Sequence, residues 1–110
     1  MDKLFNPKSI VIFGISNKPG NVPRIILENL IRWRYQGRIF GVNPGATGEP
    51  VDGIRMFQRV EDLPLVPDLA VVLVPSRFVS DAVEACGRFG IQRMAIPTGG
   101  FNELGEEGKA

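Results

Sequence analysis

The run Ser9-Ile10-Val11-Ile12-Phe13-Gly14-Ile15-Ser16-Asn17-Lys18-Pro19-Gly20-Asn21-Val22-Pro23 passes from an apolar strand through a glycine-containing turn into a helix. Ser9 to Phe13 is apolar at both alternating positions, the pattern of a parallel strand covered on both faces. From Pro23 to about Arg34, Ile26, Leu27, Leu30 and Ile31 recur at helical spacing, with Arg24, Glu28, Asn29 and Arg32 on the other face. Gly37 punctuates the end, and Arg38 to Val42 reads as a second strand closed by Asn43-Pro44-Gly45. A turn-rich excursion over 43–53 follows. Ile54 to Phe57 is then expected as a short edge strand and Glu61 to Pro64 as one helical turn. Leu69 to Val74 is the most hydrophobic segment and is expected to be the central strand. Arg77 to Phe89 predicts a helix with Phe78, Val79, Ala82, Val83, Cys86 and Phe89 on one face, stopped by Gly90. Arg93 to Ile96 predicts a last strand before Pro97-Thr98-Gly99-Gly100. Strands and helices alternating at this spacing imply an α/β fold, a doubly wound parallel sheet with helices on both faces.

The 110 residues suffice for a single domain and not for two. With 44% hydrophobic and 23% charged residues the chain has a globular composition. A formal charge of +1 argues against nucleic acid as a partner, since binding driven by phosphate contacts calls for a basic surface. No apolar run approaches the ~20 residues a membrane span needs. One cysteine, Cys86, allows no internal disulfide, so a cytoplasmic setting is expected. Cys86 falls on the apolar stripe of its helix and reads as a core residue rather than a reactive thiol. Histidine is absent, which excludes a Ser-His-Asp triad or a His-ligated metal within these residues. No catalytic residue and no metal ligand is assigned. Backbone amides, hydroxyls and cations remain, and they suit binding.

In a doubly wound sheet, ligands sit beyond the carboxyl ends of the strands, where strand order reverses. The turn Gly14 to Gly20 lies there, so its N–H groups can approach a phosphate, helped by the Ser16 hydroxyl, the Lys18 charge and a helix start that tolerates Pro23. A turn shaped by Gly14, Pro19 and Gly20 with no ligand at all explains the same residues. The dinucleotide fingerprint G-x-G-x-x-G, with an acidic residue about 20 positions on, is not met. Ser16 replaces the second glycine, Gly20 comes one position late, and Val42 is followed by Asn43-Pro44. A nicotinamide dinucleotide therefore fits badly.

Phe5-Asn6-Pro7-Lys8-Ser9-Ile10-Val11-Ile12-Phe13-Gly14-Ile15-Ser16 with Lys18-Pro19-Gly20 resembles the opening of the CoA-binding domain of NDP-forming (ADP-forming) acyl-CoA synthetases, relatives of the succinyl-CoA synthetase α subunit. Val42-Asn43-Pro44, Asp68-Leu69-Ala70-Val71 with Val74-Pro75, and Gly99-Gly100-Phe101-Asn102-Glu103 with Gly105-Glu106-Glu107-Gly108 continue the likeness over nearly the whole chain. The resemblance implies a Rossmann-like domain that binds coenzyme A. It implies that Gly14, Ser16, Lys18, Pro19 and Gly20 hold phosphates. Val42, Asn43 and Pro44 would border the nucleotide. Val74, Pro75 and Ser76 would line the groove for the pantetheine arm, and Pro97, Thr98 and Gly99 would lie near its thiol. Capping of the second helix is the competing role for Ser76. Relatives often carry a lysine after the Asn-Pro pair, where this chain has Gly45 and Ala46, leaving Lys18, Arg24 and Arg38 as substitutes. Trp33 and Tyr35 are expected to pack a helix end on the sheet edge.

The same resemblance implies chemistry completed elsewhere, through a phosphohistidine on a following domain and an ATP-grasp partner that holds the nucleotide. Because 101–110 reads as the start of a further element, the chain is expected to be an N-terminal piece of a longer polypeptide. A stand-alone regulatory CoA-binding protein, a nicotinamide dinucleotide domain, a ligand-free scaffold and homo-oligomerisation stay open at this point.

Overall fold

The computed structural model describes residues 7–96. Five parallel strands make one sheet: β1 (Ser9–Phe13), β2 (Arg38–Val42), β3 (Met56–Phe57), β4 (Leu69–Val72) and β5 (Met94–Ala95), ordered β3-β2-β1-β4-β5. Helix α1 (Val22–Arg32) joins β1 to β2, and α2 (Val79–Phe89) joins β4 to β5. The chain moves outward from β1 in one direction and then from β4 in the other. Right-handed crossovers in opposite directions put the two helices on opposite faces of the sheet.

Two buried clusters record this. Val11 and Phe13 of β1 join Phe40, Val42, Ala70 and Val72 under Ala82 and Cys86 of α2. Ile10 and Ile12, with side chains on the other face, join Ile15 under Leu27 of α1. The unbroken apolar run of β1 is thus split between two cores, as strand alternation requires. The fold is the expected single Rossmann-like α/β domain.

Several boundaries differ from the sequence reading. Leu69–Val74 is not the central strand: β1 occupies the middle, and β4 stops at Val72. The register pairs Phe13 with Val72, and β1 turns away at Gly14, so Leu73 and Val74 have no ladder to continue. Hydrophobicity did not measure that segment's rank across the sheet: Leu69 and Val71 are only partly buried, whereas every residue of β1 is buried. Helix α1 ends at Arg32 because Arg34 takes φ 61°, while the Arg34 and Tyr35 amides return to the Ile31 and Leu30 carbonyls. An arginine in a left-handed turn gives no compositional stop signal. Trp33 is 71% exposed and packs no sheet edge, whereas the Tyr35 hydroxyl donates to the Pro7 carbonyl at 2.6 Å. The edge strand β3 is confined to two residues, since Ile54 pairs with Val51 instead. A 3-10 turn over Val60–Asp62 replaces the expected turn at 61–64, and another over Ser76–Phe78 precedes α2. The side chain of Ser76 caps neither element. The expected Arg93–Ile96 strand is reduced to β5.

Candidate functional site at the carboxyl edge of the sheet

Strand order reverses between β1 and β4, so the loops leaving their carboxyl ends splay apart and open a crevice. Gly14 stands at its base. Its φ is 95°, and a Cβ there would lie 2.5 Å from the Leu73 carbonyl oxygen and 3.2 Å from the Pro23 ring. Glycine at this position therefore does two things: it turns the chain out of β1, and it lets the backbones leaving β1 and β4 approach closely. Its amide donates to the Val42 carbonyl at 2.8 Å, extending the β1–β2 ladder by one bond.

Two asparagines hold the loop that follows. Asn21 is the N-cap of α1, its Oδ1 accepting from the Arg24 amide at 2.8 Å. The same oxygen accepts from the Ser16 amide at 3.3 Å, and Nδ2 donates to the Gly14 carbonyl at 3.0 Å. One side chain thus caps the helix and fastens both ends of Gly14–Ser16 to it. From the other side, Asn43 Nδ2 donates to the Ile15 carbonyl at 3.0 Å, while Oδ1 accepts from the Gly45 amide at 2.9 Å. The Asn43 side chain is therefore committed to holding the loop against the end of β2. Asn21 was missed in the sequence reading. Its signal was an asparagine immediately before Val22-Pro23, the composition of a capped helix start.

The first turn of α1 offers little to an anion by itself. Pro23 has no N–H, and the Arg24 amide is taken by Asn21. The loop contributes more: the amides of Asn17, Gly20 and Val22 donate to no described residue. The Ser16 oxygen accepts from the Lys18 amide at 3.3 Å, which leaves its proton for a ligand. Lys18, Pro19 and Gly20 are exposed, with Gly20 at φ 75° and open space where a Cβ would be.

A cleft of about 1540 Å³ runs along this edge of the sheet. Of the residues singled out, Gly14, Ser16, Lys18, Gly20, Val42, Asn43, Pro44, Val74 and Pro75 line it; Pro19 and Ser76 do not. Pro97, Thr98 and Gly99 fall outside the described residues. Two of the three substitute cations, Arg24 and Arg38, do not line the cleft. Arg24 grips Asp52 through Nε–Oδ2 at 3.0 Å and Nη2–Oδ1 at 3.1 Å, raising its own pKa and lowering that of Asp52. Arg38 begins β2, four residues of rise, about 13 Å, from the edge that carries the cleft. Among the described residues, no group of three or more His, Cys, Asp or Glu side chains could hold a metal, and no helix is long and apolar enough to cross a membrane.

A family model described as "CoA binding domain" matches residues 5–100. The chain belongs to the CoA binding domain family. The alpha subunit of ADP-forming acetate–CoA ligase I of Pyrococcus furiosus is 40% identical to it over 111 residues, covering 99% of this chain and 24% of that subunit. An ADP-forming 4-hydroxybutyrate–CoA ligase of Nitrosopumilus maritimus is 33% identical over 96% of this chain and 15% of its own length. The apo structure of a dinucleotide-forming acetyl-coenzyme A synthetase 1 from Candidatus Korarchaeum cryptofilum superposes with a TM-score of 0.83 at 34% identity, over 96% of this chain and 22% of that one. This CoA binding domain therefore spans about a quarter or less of the length of these relatives.

Proposed function

We propose that this domain binds coenzyme A along the carboxyl edge of its sheet, as the CoA-binding part of an ADP-forming acyl-CoA synthetase. The observation that carries the reading is the coincidence of the family match over 5–100 with a cleft at the β1/β4 switch point. In this reading the phosphates lie against the loop of Gly14, Ser16, Lys18 and Gly20, which lines the cleft and carries unspent amides, a hydroxyl proton and a lysine. Val42, Asn43 and Pro44 border the nucleotide. Val74 and Pro75, which line the cleft, guide the pantetheine arm.

Coenzyme A is a substrate here, and the thiol it presents reacts with groups this chain does not supply. Without histidine the chain cannot itself carry a phosphohistidine. Acid activation then belongs to further domains or to an ATP-grasp subunit of the assembled enzyme. The relatives' names carry acetate and 4-hydroxybutyrate at comparable identity to this chain, which supports a part that handles the shared thiol and not the acyl group.

Calorimetric titration with CoA tests the loop. Ser16→Ala removes a hydrogen bond to a charged phosphate, worth about 1.5–3 kcal/mol, so affinity should fall roughly 10–150-fold. Lys18→Ala should weaken binding and flatten its salt dependence. Wild-type affinity in both folded variants would return the loop to a purely structural role.

A further inference from the structure

Coenzyme A presents two separate anionic groups, a pyrophosphate and a phosphate on the ribose. In doubly wound sheets the ribose of a bound nucleotide lies at the carboxyl end of β2, and an arginine nearby receives a ribose phosphate where there is one. Here β2 ends at Val42, and the Asn43 amide donates to the Phe57 carbonyl at 2.9 Å, so the end of β3 lies beside it. Gln58 Nε2 donates to the Ala46 carbonyl at 2.8 Å, which fastens the residue after β3 to the turn that follows Asn43. The next residue, Arg59, lines the same cleft.

Among the described residues, Lys18 and Arg59 are the two cations lining this cleft. Lys18 belongs to the β1–α1 loop, the place for the pyrophosphate. Arg59 is on the β2 side. Its side chain is 71% exposed, and Nη2 lies 3.9 Å from Asp62 Oδ1, too far for a hydrogen bond. Its planar fork can therefore meet a phosphate bidentately. Glu49 and Glu61 also line the cleft, so a diffuse positive field is not what would draw an anion there; a directed contact is needed.

We infer that Arg59 recognises the ribose phosphate of coenzyme A and so distinguishes CoA from its 3′-dephospho form. This rests on the CoA reading above.

The test titrates CoA and 3′-dephospho-CoA into the wild-type protein and the variants Arg59→Gln, Lys18→Ala and Arg38→Gln. The exposure of Arg59 leaves the fold of its variant intact, which thermal unfolding verifies. Wild type should prefer CoA by roughly 10–150-fold, the worth of one charge-assisted contact. Arg59→Gln should lose that preference by weakening CoA alone. Lys18→Ala should weaken both ligands by a similar factor, and Arg38→Gln neither. A preference unchanged in Arg59→Gln, or one abolished by Lys18→Ala, overturns the assignment while CoA binding stands. Equal wild-type affinity for the two ligands also overturns it. If the wild type binds neither, the CoA reading itself falls and this inference with it.

Discussion

At the scale of single residues, the cleft depends on side chains that touch no ligand in this account. Asn21 spends its oxygen on two amides and its nitrogen on a carbonyl, linking α1 to the chain leaving β1. Replacing Asn21 with alanine should cost about 0.5–2 kcal/mol for the lost cap. It should also weaken CoA binding, because Gly14–Ser16 is released from the helix. Asn21→Asp separates the two effects. An aspartate still caps Arg24, but it cannot donate to the Gly14 carbonyl and sets a carboxylate against it. Denaturant unfolding should find Asn21→Asp nearer to wild type than Asn21→Ala, with CoA affinity reduced in both. Equal stability of all three proteins would contradict the role given to this side chain. Asn43 lines the cleft, and the family resemblance implies a place for it at the nucleotide border, but its side-chain amide is occupied by the loop.

At the scale of elements, the two helices hold their cores by narrow stripes, and Cys86 is the most enclosed residue of α2. It is fully buried among Val72, Ala82 and Ile91, and burial, with a smaller contribution from Glu61, pushes its thiol from 9.0 up to about 11. Below about pH 9 the thiol is protonated in both the folded and unfolded chain and contributes no pH dependence. Between about 9 and 11 only the unfolded chain ionises, so stability should fall by up to about 1.4 kcal/mol per pH unit. That slope should diminish in Cys86→Ala, measured by denaturant unfolding at pH 8 and pH 10.5. A thiol reagent at pH 8 should label the native protein far more slowly than the unfolded one, and equal rates would contradict the burial.

Element types were legible because strand and helix patterns here are clean. β1 and β2 match their expected bounds, and α2 ends where Gly90 stops it. Ends were misread where the signal is tertiary. Arg34 adopts a left-handed turn that its side chain does not advertise, and β4 loses its ladder because its neighbour turns at Gly14.

At the scale of the whole molecule, the order β3-β2-β1-β4-β5 places the β1–α1 loop, the end of β2 and the end of β4 around one crevice. Much of the cleft's lining was legible because doubly wound sheets open a crevice by topology, and alternation of elements implied that class of sheet, though not which strand lies at its centre. The cation assignments were only partly legible. Arg38's place at the start of β2 was readable from the strand's bounds, but whether Arg24 or Arg59 reaches the cleft depends on an ion pair with Asp52 and on the pairing of β3 with β2, neither of which is local in sequence.

On the proposed function, this edge takes coenzyme A in preference to a nicotinamide dinucleotide. The ribose-binding acid of the dinucleotide fingerprint is replaced after Val42 by Asn43, whose side chain is already spent on the loop. Parallel calorimetric titrations with CoA and NADH measure this directly. CoA should show the tighter dissociation constant; tighter binding of NADH would overturn the proposed function.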